Sequence, residues 1–223
     1  MTSNIISSSV TADFSSKLEL NDSLRLEAPR LYKIPLIPVN CSFGIVTEKP
    51  EWTIPLKPMT NKERKVAQSD VTVLFAVRRP GCGACRGHGR QLTELARLEN
   101  VSLVGAIKET GVNDPALLEF YNEYFKFPIY KDEKWNVYTA MGGRKISIRT
   151  FLANGNRMRK LFNKNQIKNA AFGGDAWTQG GVLIFDKEGD LRYCHYENYG
   201  EDFNLEELRA AVKAARFPRI DKA

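Results

Sequence analysis

The stretch "VTVLFAVRRPGCGACRGHGRQL", Val71–Leu92, decides how this chain is read. Its β-branched and aromatic start, Val71–Val77, has the length and composition of a strand buried on both faces. The run stops at Arg78 and Arg79, Pro80 and Gly81 turn the chain, and Cys82 and Cys85 follow with two small residues between them. Beyond them Leu92, Leu95 and Leu98 are spaced for one face of a helix, whose early Gly87 and Gly89 weaken its first turns. A helix N-terminus presents free N–H groups and the positive end of the helix dipole, and both favour a thiolate over a thiol. Cys82 falls at that terminus. Cys85 falls one turn in, deeper and within reach of the first sulfur. Cys82 is therefore read as the attacking thiolate and Cys85 as its resolving partner. Arg78, Arg79 and Arg86 add positive charge that lowers the Cys82 pKa. Side chains alternate along a strand, so only one of Arg78 and Arg79 is expected to approach the sulfur.

Such a thiolate attacks a disulfide sulfur or a peroxide oxygen. In the second case the sulfenic acid condenses with the neighbouring thiol, and an arginine near the sulfur polarises the O–O bond. A zinc clamp is the competing reading, with Cys82, Cys85, His88, Cys194 and His195 as possible ligands. A structural zinc site normally has a second well-spaced pair, whereas Cys194 and His195 are adjacent and face opposite ways on a strand. No metal is expected. A c-type haem is excluded because Arg86 stands where the histidine of C-x-x-C-H belongs. His88 is read as a surface helix residue, Cys41 and Cys194 as isolated thiols, and the aromatic and polar residues of "AFGGDAW" as loop packing.

Outward from this centre the pattern is alternating. "VSLVGAIK" is a second buried strand, and "DPALLEFYNEYF" is a helix with Pro115 in its first turn. "FPIYKDE" is a short strand and turn. "ISIRTFLANGNRMRKLF" is a helix with Ile148, Phe151, Leu152, Met158, Leu161 and Phe162 on one side. After the loop "QIKNAAFGGDAWTQ", "GGVLIFDKEGDLRYCHYE" is a hairpin of Val182–Phe185 and Leu191–Tyr196. "NLEELRAAVKAARF" closes the order as a helix, N-capped by Asn204 and stopped before Pro218. Two strands joined by a crossover helix run parallel, and a hairpin adds antiparallel strands. The fold class is α/β and thioredoxin-like, a central mixed sheet flanked by helices.

Residues 1–25 are Ser-rich and polar and read as disordered. Residues 26–69 form an irregular proline-rich N-terminal extension, with six of the ten prolines between Pro29 and Pro58. Short edge strands are expected near Leu36–Val39 and Phe43–Val46, and a short helix at "NKERKVAQSD". The thioredoxin-like domain spans 70–218. No apolar run approaches the roughly 18 to 20 residues of a spanning helix, and the N-terminal residues do not read as a secretory or organelle signal, so the expected location is cytoplasmic. The net charge is +7, and the segment 134–174 holds nine Lys/Arg and no acidic residue. That is either a solvated face or a surface that attracts acidic groups.

At "AVRRPGCGACR" the chain resembles the peroxiredoxin-like 2 family, the AhpC/TSA-type antioxidant group that includes prostamide/prostaglandin F synthase and selenoprotein U-like proteins. The marks are Arg78-Arg79-Pro80-Gly81-Cys82, the Cys82/Cys85 pair, "VGAIKE", "FPIYKDEKWNVY", "GGVLIFDKEGDLRYCHYE" and the final helix, together covering about 70–216. The resemblance implies a thioredoxin-like fold and thiol-dependent reduction of peroxides or lipid endoperoxides, with Cys82 as nucleophile and Cys85 as partner. It implies no bound cofactor, with electrons supplied by thioredoxin or an NADPH-linked reductant. Two departures from better-known relatives are visible. Arg79 stands three residues before Cys82, where peroxiredoxins carry Thr or Ser. Gly180-Gly181 stands where thioredoxins carry a cis-proline, as is usual in this family, and is expected to shape the space over Cys82 or to make a tight strand entry. The alternative function is a non-catalytic thioredoxin-fold adaptor that docks on an acidic partner through the basic segment 134–174 or the N-terminal arm. No nucleic acid is expected as a partner.

Overall fold

The structure is a computed structural model of the 223-residue chain. It describes residues 35–41, 47–48, 52–53, 70–164, 166–170 and 173–217. The N-terminal 1–25 segment, the strand read at Phe43–Val46 and the stop at Pro218 lie outside the described residues. So does the helix read before Val71, apart from Asp70.

The described strands are β1 (Pro35–Asn40), β2 (Thr47–Glu48), β3 (Trp52–Thr53), β4 (Thr72–Ala76), β5 (Ser102–Ile107), β6 (Ile129–Lys131), β7 (Gly181–Phe185) and β8 (Leu191–Tyr196). The helices are α1 (Gly83–Glu99), α2 (Asp114–Glu119), continued by a π-helical turn Phe120–Phe125, α3 (Asn136–Ala140), α4 (Ile148–Lys164) and α5 (Leu205–Ala215). The main strand order is β1-β6-β5-β4-β7-β8, with the short β2 and β3 both paired to β1. Strands β4, β5 and β6 are mutually parallel, and β1, β7 and β8 are antiparallel to their neighbours. This is the expected mixed sheet. The proline-rich segment enters it through β1, where Ile37, Pro38 and Val39 face Lys131, Tyr130 and Ile129 of β6.

The sheet is buried on both faces, which explains why β4 reads as a continuous apolar run. Val73 and Phe75 point into one core with Leu92 and Leu95 of α1, Leu117 of α2 and Leu208 of α5. Leu74 and Ala76 point into the other, with Val137 and Tyr138 of α3 and Leu183 of β7. Both cysteines of the pair belong to the first core. Asn204 caps α5 as expected, accepting from the Glu207 N–H at 3.3 Å.

Two packing expectations need correction. Leu98 is exposed, and Ala96 and Glu99 take the inner side of α1 instead. On α4 the helix forms as read, yet Met158 is buried while Ile148, Phe151 and Leu152 face outward. A helix that crosses only the edge of a core buries a narrower stripe than its sequence offers.

Candidate active site

Strand β4 ends at Ala76, two residues before the arginines, so strand alternation no longer governs where they point. A turn closed by the Cys82 N–H on the Arg79 carbonyl (3.1 Å) then delivers Cys82 to the N-cap of α1, with φ −74° and ψ 127°. Two glycines of the loop are there because backbone or ring atoms press on them. A Cβ on Gly81 would stand 2.3 Å from the Ala170 carbonyl oxygen, and one on Gly83 would stand 2.6 Å from the Phe162 ring. The segment after α4 therefore lies against the redox loop. The Ala170 N–H donates to the Gly81 carbonyl at 2.8 Å, and the Asn169 Oδ1 accepts from the first helical N–H, that of Gly83, at 3.0 Å.

Arg78 is the arginine that reaches the sulfur. Its Nη2 donates to the Cys82 Sγ at 2.8 Å, its Nη1 donates to the Ala176 carbonyl at 3.2 Å, and its Nε lies 3.3 Å from both carboxylate oxygens of Glu197. Arg78 and Glu197 are both almost wholly buried. The other two arginines do not tune the sulfur as expected. Arg79 donates from Nη1 to the Gly173 carbonyl, 3.1 Å away on the loop after α4. Arg86 is fully buried and its donors go to the Pro80 carbonyl (3.1 Å), the Lys168 carbonyl (2.8 Å) and the Glu119 carboxylate (2.7 Å). Being one turn further along the helix, it holds the loops together rather than facing Cys82.

The two cysteines are free thiols with opposite electrostatics. A hydrogen bond from the Cys85 thiol, and then the Arg78 guanidinium, hold Cys82 well below the ordinary thiol range, against the opposing effects of burial and Glu197. Burial, and then the neighbouring Cys82, push Cys85 well above it. A thiolate beside a retained proton is what an attacking and a resolving cysteine require. Burial pushes Cys41 and Cys194 up to about 11 each, so neither is an activated thiol. Cys194 packs on the far face of the sheet from the pair.

Glu197 carries the feature that sequence reading missed. At the end of β8 its N–H donates to the Gly180 carbonyl at 3.0 Å, and its carboxylate receives the Gly180 N–H at 3.4 Å. Burial opposes its ionisation, but Arg78 holds its carboxyl below the usual value. Gly180 has no room for a side chain, since a Cβ would lie 2.0 Å from the Ala76 carbonyl oxygen and 3.2 Å from the Arg78 nitrogen. A Cβ on Gly181 would lie 2.2 Å from the His195 oxygen. The glycine pair is thus a tight strand entry that also seats Glu197 under Arg78. No cis peptide bond occurs among the described residues.

Lys108, from "VGAIKE", was likewise unassigned. It is buried and donates to the Asp175 carboxylate (2.7 Å), the Asp175 carbonyl (3.1 Å) and the Thr178 carbonyl (3.4 Å). It pins the loop whose Ala176 carbonyl receives Arg78. Burial opposes the Asp175 carboxylate, but the Lys108 and Thr178 hydrogen bonds bring it down to about 2. His88 is not the expected surface residue. It is buried, stacked on Phe203 at 4.0 Å between ring centroids, and its Nε2–H donates to the Glu201 carbonyl at 2.9 Å. It fills the core behind the pair.

Comparison with known proteins agrees with this picture. The family described as AhpC/TSA antioxidant enzyme matches residues 90–199, a span that begins just after the cysteine pair. Peroxiredoxin-like 2A of Homo sapiens is 29% identical over 173 residues, covering 72% of this chain and 71% of that protein. Prostamide/prostaglandin F synthase of Salmo salar is 28% identical over 180 residues, covering 71% and 88%. Among solved structures, a peroxiredoxin-like protein from Aquifex aeolicus superposes with a TM-score of 0.48 at 15% identity, covering 82% of this chain and 84% of that one. The chain is thus similar over residues 90–199 to the AhpC/TSA antioxidant enzymes, and over about seven tenths of its length to peroxiredoxin-like 2A and prostamide/prostaglandin F synthase.

Proposed function

We propose that the protein is a thiol-dependent oxidoreductase that reduces peroxides or lipid endoperoxides through a Cys82/Cys85 disulfide cycle. The observation that carries this reading is the Arg78 Nη2 at 2.8 Å from a Cys82 sulfur whose pKa is lowered, with a protonated Cys85 beside it. In the first step the Cys82 thiolate attacks one peroxide oxygen. An S–O bond forms, the O–O bond breaks, and the departing alkoxide takes a proton from solvent to leave as an alcohol. Arg78 donates to the reacting centre as negative charge moves from sulfur to oxygen. In the second step the Cys85 thiol displaces the hydroxyl of the Cys82 sulfenic acid, forming the disulfide and releasing water. With an endoperoxide the S–O product is a sulfenyl ester, and Cys85 displaces it to release a diol. A dithiol reductant, thioredoxin or an NADPH-linked system, then takes up the oxidising equivalents by thiol–disulfide exchange.

The relatives named as prostamide/prostaglandin F synthase and peroxiredoxin-like 2A favour this class over a non-catalytic adaptor, for which a lowered thiol pKa has no use. The test is mass spectrometry of the reduced chain after one equivalent of hydrogen peroxide or of a lipid hydroperoxide, together with turnover driven by thioredoxin. The expected product is a Cys82–Cys85 link and no turnover in Cys82→Ser. Equal consumption of peroxide by Cys82→Ser and the parent sinks the reading.

A further inference from the structure

Helix α4 is the part of the molecule whose surface the redox chemistry leaves unexplained. It is held to the body by the buried Met158 and by Phe162 over Gly83. Its outward side carries Ile148, 67% exposed, and Leu152, 72% exposed, one turn apart. Phe151 (42% exposed) meets Trp177 (43% exposed) at 6.0 Å between ring centroids and stacks on Tyr199 at 5.4 Å, so exposed aromatic rings extend the apolar patch onto the loop beside the helix. Around this patch Arg144, Lys145, Arg149, Arg157, Arg159 and Lys160 are all exposed, and the segment 134–174 contains no acidic residue. The nearest carboxylate partner is outside that segment, at Glu201, 3.3 Å from Arg157.

These side chains stand out from a convex helix and do not line a groove. A protein partner has to bring a groove shaped to them, whereas the interface of a bilayer receives projecting apolar side chains in any arrangement. At about 100° per residue, Ile148, Leu152 and Arg159 fall within a sector about 40° wide, with Arg149 about 60° further round on the exposed side. Arginine stems can therefore lie along the acyl boundary while their guanidinium groups reach headgroup phosphates. Exposed Trp177 and Phe151 at the margin suit the same boundary. Among the described residues no helix is long and apolar enough to cross a membrane, so the contact is peripheral.

We propose that α4, with Trp177 beside it, docks the protein on an anionic phospholipid surface. The docked side is the redox side. Tyr199, which stacks on Phe151, also lies 5.2 Å from the Arg78 guanidinium, the group that binds the Cys82 sulfur. The proposal does not depend on the peroxide reading, because it concerns where the molecule binds and not what it reduces.

The test is co-sedimentation of the full chain with vesicles of phosphatidylcholine alone and of phosphatidylcholine mixed with phosphatidylserine, at low and physiological salt. Binding is expected only to the mixed vesicles, weakening as salt rises. The double variant Ile148→Asp/Leu152→Asp and the pair Arg149→Glu/Arg159→Glu are each expected to weaken it by about tenfold or more. All four positions are exposed, so the variants should fold, and an unchanged Cys82 alkylation rate verifies that they do. Three results overturn the proposal. One is equal binding to both vesicle types or none to either. Another is binding that survives both variant pairs. The third is a dimer of this chain, or a complex with an acidic thioredoxin, that the Ile148→Asp/Leu152→Asp variant abolishes while vesicle binding is absent.

Discussion

Two buried arginine–glutamate pairs flank the redox loop, and they do different work. Arg78 with Glu197 lies beneath the loop, and Arg86 with Glu119 lies along its outer side. Both guanidinium groups are almost fully buried. Arg86 directs its donors to carbonyls and to a carboxylate that is one third exposed. Arg78 divides its donors between a fully enclosed carboxylate, a carbonyl and the Cys82 sulfur. The first arrangement fixes backbone. The second leaves one donor facing an atom whose charge changes during a reaction. Proximity in sequence to a CxxC is therefore a poor guide to which cation acts on it. What matters is where each cation's remaining donors point.

Substitutions can break that contrast. Arg78→Met should have the largest effect, because it strips the thiolate of its cation and leaves Glu197 buried without a partner. Stability should fall by about 3–5 kcal/mol, and alkylation of Cys82 at mildly acidic pH should slow by at least about tenfold. Urea denaturation and a stopped alkylation series read the two effects separately. Arg86→Met should lower stability by about 2–4 kcal/mol by leaving the Pro80 and Lys168 carbonyls unsatisfied, with no movement of the Cys82 pH profile. A profile that moves as far as in Arg78→Met would erase the distinction between the pairs.

Glu197→Gln should act with opposite sign on the sulfur. Glu197 raises the Cys82 pKa, so removing its charge moves the alkylation profile to lower pH, while loss of the buried counter-charge to Arg78 costs about 1–3 kcal/mol of stability. The stability of this variant should depend on pH in a defined direction. Cys82 titrates below the free thiol value in the folded state, so its contribution is complete above the ordinary thiol range and is lost as pH falls through the lowered value. Denaturation midpoints across pH should show that slope in the reduced Glu197→Gln protein and lack it when Cys82→Ser is added. The smallest effect belongs to Glu119→Gln, since a partly exposed ion pair contributes about 0–1 kcal/mol. Its thiol profile should match the parent.

Much of the frame was legible from residue patterns. The β-branched run at Val71–Val77, the helix after Cys82, the hairpin from Gly181 to Tyr196 and the Asn204 cap all rest on local signals, and all formed. Part of the site was legible for the same reason: a helix N-terminus places Cys82, and spacing places Cys85. The choice among Arg78, Arg79 and Arg86 was not, because strand alternation ends at Ala76 and where each arginine points is set by the carbonyls of Lys168, Gly173 and Ala176, distant in sequence. Glu197 left a faint trace. Tyr193, His195 and Glu197 share one side of the strand direction, and an acid following apolar and aromatic residues there asks for a buried cation. His88 and the outer residues of α4 misled because periodicity reports which side chains share a face, not whether another element covers that face.

The most direct measurement is the pH dependence of iodoacetamide alkylation of the fully reduced chain, with each modified cysteine identified by mass spectrometry. The account predicts modification of Cys82 first, with a rate profile that lies at lower pH than that of a free thiol, and with Cys85 reacting only at higher pH than a free thiol. Cys82 titrating like a free thiol, or Cys85 reacting first, would contradict it.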